Sequence, residues 1–261
     1  MSNASNPTAS KPTKATTIDQ VISILEKIIL DSENNQDPLG YFTALYLKVT
    51  KKVKEGIEDN FFDDGPRMEK LDVVFANRYL DDYLAYQENE TVTASWQRAF
   101  ELPTKYWPIV LQHLLIGMNA HINLDLGIAA AQVMKGKDIE DLKTDFNKIN
   151  DILSSLVVAV EQDLAEIWPT LKIILKLIGK IDDFLVDFSM EIARDGAWKF
   201  AKSIANKPPE VLKALIEARD QKVAKKAKII TDPGIVVNTI FGIIRLSERG
   251  SVAEKIKKLK V

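Results

Sequence analysis

The chain carries two histidines, His113 and His121, and both fall in one stretch, QHLLIGMNAHINLDLGIAAA (112–131), with Asp125 and the amides Gln112, Asn119 and Asn123. An imidazole and a carboxylate four residues apart on a helix face the same way, so His121 and Asp125 suit two chemistries. They can share one cation, or the carboxylate can fix the imidazole tautomer and raise its basicity, making an acid–base pair. With about 100° per helical residue, His113, His121 and Asp125 fall within roughly 120° of arc, while Gln112, Asn119 and Asn123 share a band about 40° wide elsewhere. Two imidazoles and a carboxylate suit zinc or iron, given a further ligand from another helix and an open position for water. The catalytic expectation rests on His121, Asp125 and His113, and the same three are the ligands of a metal-dependent version. The opposing expectation is structural, because a carboxylate commonly satisfies a histidine buried in a core.

Apolar residues surround both bands, so this stretch should be buried on most sides and other helices must complete whatever it does. Segment 66–88 brings Arg78 and Asp82 at i, i+4 spacing onto the face that carries Met68, Leu71, Phe75, Tyr79, Tyr83 and Tyr86. That predicts an inward ion pair, of the kind that often borders a polar cavity. Segment 188–206 turns Glu191, Arg194 and Trp198 to one side with Asp187, and Asp182, Asp183 and Asp187 could supply a missing metal ligand. Asn119, Asn123, Arg78, Asp82 and Arg194 are the expected substrate contacts, for a small organic or lipid-like molecule. Gly117, Ala120 and Gly127 flank His113, which indicates a close helix crossing or, less often, room for a ligand.

Pro38, Pro66, Pro108, Pro169, Pro209 and Pro233 each open a helical pattern, where a missing N–H costs little, and strand patterns are absent. Helices are predicted at 18–32, 38–59, 66–88, 91–102, 107–134, 138–166, 169–186, 188–206, 209–230 and 233–248, followed by a frayed final turn. The fold class is all-α: one multi-helix bundle of about ten helices around a buried central helix, 107–134. Residues 1–16 are Ser, Thr, Asn, Pro and Lys with little to bury, and read as a disordered arm. Residues 17–261 read as one domain with a basic C-terminal part, 209–261. The best candidate boundary is Asn206 to Pro209, but the helix after Pro233 is apolar enough to pack on the body.

Composition narrows the function classes. A chain of 261 residues that is 46% hydrophobic can build a sizeable core. The absence of cysteine removes disulfides, thiolate nucleophiles, iron–sulfur clusters and zinc fingers. Net charge is −2, which argues against general nucleic-acid binding, yet from Lys199 onward 15 Lys and Arg face only 6 Asp and Glu. No aromatics interleave with those lysines, so a nucleic-acid stacking surface is not expected; the basic end can touch an acidic partner, a phosphate or, peripherally, a membrane surface, although scattered lysines are more often a solvated face. No uncharged apolar run is long enough to span a bilayer and no charged-then-apolar leader opens the sequence, so a soluble, cytoplasmic protein is expected. Glu-x-x-His pairs, His-Glu-x-x-His, phosphate-binding glycine loops, dinucleotide fingerprints and Gly-x-Ser-x-Gly elbows are all missing.

The runs MEKLDVVFANRYLDDYLAY, SWQRAF, LQHLLIGMNAHINLDLGIAAA and IARDGAWKFA together resemble a bacterial family of all-helical proteins described only as a domain of unknown function. The likeness covers most of residues 60–205 and is most specific in GMNAHINLDL. It implies a family centre on His113, Asn119, His121, Asn123 and Asp125, and it implies no activity. His-x-x-x-Asp on a helix is also similar to zinc-dependent phospholipase C and its nuclease relatives, whose many further histidines this chain lacks. Two functional expectations follow: an enzyme acting on a small organic or lipid-like substrate at a buried His/Asp site, with or without a metal, or a helical binding or scaffold protein whose polar centre is structural.

Overall fold

Local capping chemistry sets most of the helix starts. The computed structural model of the chain describes residues 14–168 and 190–260. Helix α1 (Ile18–Asn35) begins where the Thr17 hydroxyl accepts the Gln20 N–H, and it stops at Gln36, which turns left-handed. Its Val21, Leu25, Ile28 and Ile29 stripe packs on α2 (Gly40–Glu58), whose first eight residues are all buried. Helix α3 (Gly65–Gln87) is capped by the Asp64 carboxylate and has Pro66 in its first turn. Helix α4 (Ala94–Phe100) is short and runs into a 3-10 turn, Leu102–Thr104.

The central rod follows as α5 (Val110–Ala120), a π-turn (His121–Asp125) and α6 (Leu126–Val133). It is apolar and long enough to cross a membrane, but 94% of its apolar window is buried inside the fold. Helix α2, α4 and α9 (Pro209–Thr231) pack around its first half, and α3 and α8 (Met190–Ile204) around its second. Helix α7 (Lys143–Ile167) lies along α2, and α10 (Ile235–Ser247) and α11 (Val252–Leu259) close the bundle. The described residues contain no strand, and the chain is one all-α domain around the central helix.

Small residues let the rod come close to its neighbours. A Cβ on Gly117 would sit 2.4 Å from the Phe42 ring, and one on Gly127 would sit 2.8 Å from the Ala197 carbonyl. Both glycines therefore mark close crossings. The basic end is part of the same body, since Val237, Ile240, Phe241 and Ile244 of α10 join the main core.

Several boundaries differ from expectation, each for a local reason. The central helix starts at Val110 and not at 107, because Trp107 precedes a proline and Ile109 is extended. The frayed final turn is instead α11, fixed by a reciprocal Ser251–Glu254 capping box and by buried Ile256 and Leu259. Residues 14–16, expected within a disordered arm, are tied down: the Asn77 amide exchanges two hydrogen bonds with the Ala15 backbone at 3.0 and 2.8 Å. The predicted helix 169–186 lies outside the described residues.

Candidate functional site

Asp125 is the hub of the central rod. Its carboxylate is fully buried and accepts from three directions: the Arg78 Nε–H at 3.1 Å, the Trp96 indole N–H at 2.8 Å and the His121 Nδ1 at 3.2 Å. The π-turn, closed by the Leu126 N–H on the His121 carbonyl, holds His121 and Asp125 at its two ends. Such wide turns recur at functional sites.

His121 sits inside an aromatic box. Its ring stacks on Phe75 with centroids 3.5 Å apart, and Tyr46 meets it edge-on at 4.5 Å, with Phe42, Tyr79 and Trp96 around the rest. Burial lowers its pKa against the opposing pull of Asp125, so the ring is neutral near pH 7. A carboxylate only accepts, so the neutral ring carries its proton on Nδ1, and the lone pair on Nε2 is left over. Nε2 is sealed from solvent and has no partner among the described residues. One Asp72 oxygen is likewise buried without a partner among the described residues, and the buried Tyr46 hydroxyl has the Thr50 hydroxyl as its neighbour. Burial, followed by Asp72, pushes the Tyr46 phenol well above its usual range, and burial lifts Asp72 to about 7.

The amide band does other work. Gln112 donates to the Ile230 carbonyl at 2.7 Å, Asn119 donates to the Val223 carbonyl at 3.1 Å, and Arg219 donates to the Asn123 carbonyl at 2.8 Å. The Asn123 amide reaches Asn119 at 3.3 Å. Asn119, through its side chain, and Asn123, through its backbone carbonyl, tie the rod to α9.

Other expected site residues are also placed differently. Arg78 does not pair with Asp82 on its own helix, because Asp125 offers a fully buried acceptor. Asp82 accepts from the Thr93 backbone N–H at 2.9 Å and its hydroxyl at 3.0 Å, while Asp220 of α9 takes the Ala94 and Ser95 N–H groups at 2.7 and 2.8 Å. Two carboxylates from separate helices thus seat the N-terminus of α4, the helix that carries Trp96. Arg194 of α8 is buried against α7, stacked over Phe146 and donating to the Phe146 carbonyl, with its Nε and one terminal nitrogen unpaired among the described residues. Desolvation lowers its pKa to about 10.

His113 does not join His121. It lies on the floor of a separate cleft of about 480 Å³, edge-on to Tyr41 at 5.5 Å. Burial, helped by Arg245 and Lys255, lowers its pKa to about 3, so it is neutral across the physiological range. One wall is a buried triad: Glu248 accepts from Lys255 and Arg245, each at 2.8 Å, and from the Val110 N–H at 2.8 Å. Lys105, Tyr106, Ser251 and the start of α11 complete the lining. One carboxylate faces three cations, so the cleft carries a positive excess. Sequence reasoning missed this wall because Arg245, Glu248 and Lys255 lie more than 130 residues from His113; their sequence signal was the helix end and capping box at 245–254.

The expected metal set is not assembled. His113 and His121 open on different surroundings, and among the described residues no three His, Asp or Glu side chains gather closely enough to hold an ion. Asp182, Asp183 and Asp187, the proposed extra ligands, lie outside the described residues. With the geometry in hand, comparison with known proteins adds one finding: a model described as "Family of unknown function (DUF5995)" matches residues 18–233, so the chain belongs to that family. No curated protein and no solved structure matches it.

Proposed function

We propose that this member of a family of unknown function binds a small organic anion, carrying a carboxylate or a phosphate, in the cleft above His113. The observation that carries the reading is the cleft itself, about 480 Å³ of space floored by a histidine and lined by Lys105, Arg245 and Lys255 against the one carboxylate of Glu248. That volume lies within the roughly 300–1,000 Å³ typical of small-molecule sites. Glu248 holds Arg245 and Lys255 in place, and the guanidinium keeps a donor for a ligand. Neutral His113 makes no hydrogen bond among the described residues, so its ring nitrogens can meet a polar group of the bound molecule. A pKa so far below neutrality suits recognition better than proton transfer.

The test is calorimetric titration of the protein with a panel of small carboxylates, phosphate monoesters and inorganic phosphate. Saturable binding is expected, weakened at least about tenfold by Arg245→Ala, the loss of one charge-assisted contact. No binding by any member of the panel, or binding indifferent to Arg245→Ala and His113→Ala, overturns the reading.

A second reading has its own observation. An enzyme acting on a small organic or lipid-like substrate at His121 and Asp125 is supported by the His121 Nε2, which has no partner among the described residues, in a ring that Tyr46 meets edge-on. There Asp125 would orient the ring and Nε2 would take the proton. Because Nε2 is sealed, this chemistry needs an opening of the aromatic box, whereas the cleft is open already.

A further inference from the structure

Helix α10 is apolar on two sides, and the fold accounts for only one. Val237, Ile240, Phe241 and Ile244 enter the core, while Ile235, Val236, Ile243 and Leu246 face outward, with Ile235 87% and Leu246 75% exposed. Scattered exposed apolar residues are ordinary on any surface; a row along one helix is not. Arg245 of the same helix joins α10 to two exposed aromatic residues. Arg245 donates to the Tyr106 carbonyl at 2.9 Å and lies over its ring at 5.1 Å, and Trp107 touches Tyr106 edge-on. Tyr106 is 68% exposed and Trp107 60%.

We propose that this face docks in the plane of an anionic lipid surface. Trp and Tyr favour the boundary between headgroups and acyl chains, and aliphatic side chains favour the layer beneath. At 13 residues α10 is about 20 Å long, too short for a hydrocarbon core of about 30 Å, so it lies along the surface and does not cross it. Charge selects the partner. Lys222, Lys225, Lys226 and Lys228 are exposed on the last turns of α9, which bends by 67° into α10, and Lys105 precedes the aromatic pair. From Lys222 onward ten Lys and Arg stand against three acids, of which Glu248 is buried in its triad and Asp232 is held by Asn238. A second copy docked face to face would set like lysines against each other, whereas anionic headgroups complement them. This inference rests on the outer surface of α10 and on Lys105, Tyr106 and Trp107, of which Lys105 and Tyr106 also line the cleft, and it needs no ligand bound there.

The experiment is sedimentation of the full chain with vesicles of phosphatidylcholine alone or mixed with phosphatidylserine. Binding is expected on the mixed vesicles and at least about tenfold weaker on the neutral ones or in high salt. Lys225→Ala with Lys226→Ala should cost about fivefold per lysine removed. Ile243→Glu with Leu246→Glu, and separately Trp107→Ala, should abolish or strongly reduce binding without changing the circular dichroism. Absence of binding to mixed vesicles overturns the proposal, as does binding that ignores both the serine headgroup and the α10 substitutions. A concentration-dependent dimer that Ile243→Glu with Leu246→Glu dissolves would assign the face to a second copy and overturn it as well.

Discussion

Replacing Asp125 by alanine tests whether the polar centre of the rod is an architectural hub. The carboxylate has three donors, and they do not suffer equally when it goes. Trp96 and His121 are almost fully buried, so their N–H groups would be orphaned inside the aromatic box. Arg78 is 27% exposed and can turn toward water. An orphaned buried donor costs about 1–3 kcal/mol, and breaking a buried ion pair about 3–5 kcal/mol. Allowing for relaxation of Arg78, a loss of about 4 kcal/mol is expected, a large share of the roughly 5–15 kcal/mol that holds a domain together. In urea, with a slope of about 3 kcal/mol per molar, the midpoint falls by more than about 1 M at unchanged slope. Tryptophan fluorescence and far-ultraviolet dichroism should give coincident transitions, as a two-state comparison requires. Asp125→Asn keeps the shape and one acceptor oxygen and should lose about half as much. A double-mutant cycle with Trp96→Phe should recover at least about 1 kcal/mol, because the orphaned indole N–H is then removed. A loss below about 1 kcal/mol for Asp125→Ala, with native dichroism, would refute the hub. It would also move weight to chemistry at His121, since polar groups kept for function are often held at a cost to stability.

Three further outcomes follow from the same geometry. Asp72 is lifted from 3.8 to about 7 by burial, so between those values the folded state keeps a proton that the unfolded chain has released, and stability falls as pH rises through that window. Asp72→Asn should therefore be more stable than wild type at pH 8, by up to about 4 kcal/mol, with the gap closing near pH 4 in paired urea titrations. Gly117→Ala would drive a methyl group into the Phe42 ring and should cost about 1–3 kcal/mol by thermal unfolding, with an unchanged melt counting against the close crossing. Asp220→Ala strips the cap from α4 and should cost about 0.5–2 kcal/mol, with faster amide exchange first at Ala94 and Ser95.

Much of the architecture was legible from local signals. Proline positions, capping residues and apolar periodicity place the helices within a few residues, and the apolar surroundings of 112–131 identify the rod that the bundle encloses. The site was legible in content but not in arrangement. Angles drawn on a regular helix put His113 with His121 and Asp125, but they cannot say which neighbouring helix each residue meets, and a π-turn carries no residue signature of its own. Arg78 was read as facing inward, yet its partner lies 47 residues away on the rod, and Asp82 is needed at the start of α4. The Ser251–Glu254 box was visible in the sequence; its consequence, a helix that carries Lys255 to Glu248, required the tertiary contact.

The polar density of the central helix has a physical explanation that precedes any chemistry. A rod buried on nearly every side could slide or rotate among its neighbours with little change in apolar contact, because packing alone discriminates weakly between similar registers. Polar groups discriminate strongly, since a misplaced donor in the core stays unpaired. On one side Gln112 and Asn119 read specific carbonyls of α9; on the other Asp125 gathers an arginine from α3 and an indole from α4. A one-residue slip would break both sets together, so the rod has one acceptable position. That position also holds His113 under the cleft, where a side chain from the fixed rod meets the charges that Glu248 anchors. The two histidines thus sit in different surroundings, His121 bonded to Asp125 in the interior and His113 lining the cleft. Exchange of His121 for a residue that cannot donate to Asp125 should reach the cleft only through stability, whereas exchange of His113 should change binding with the fold intact.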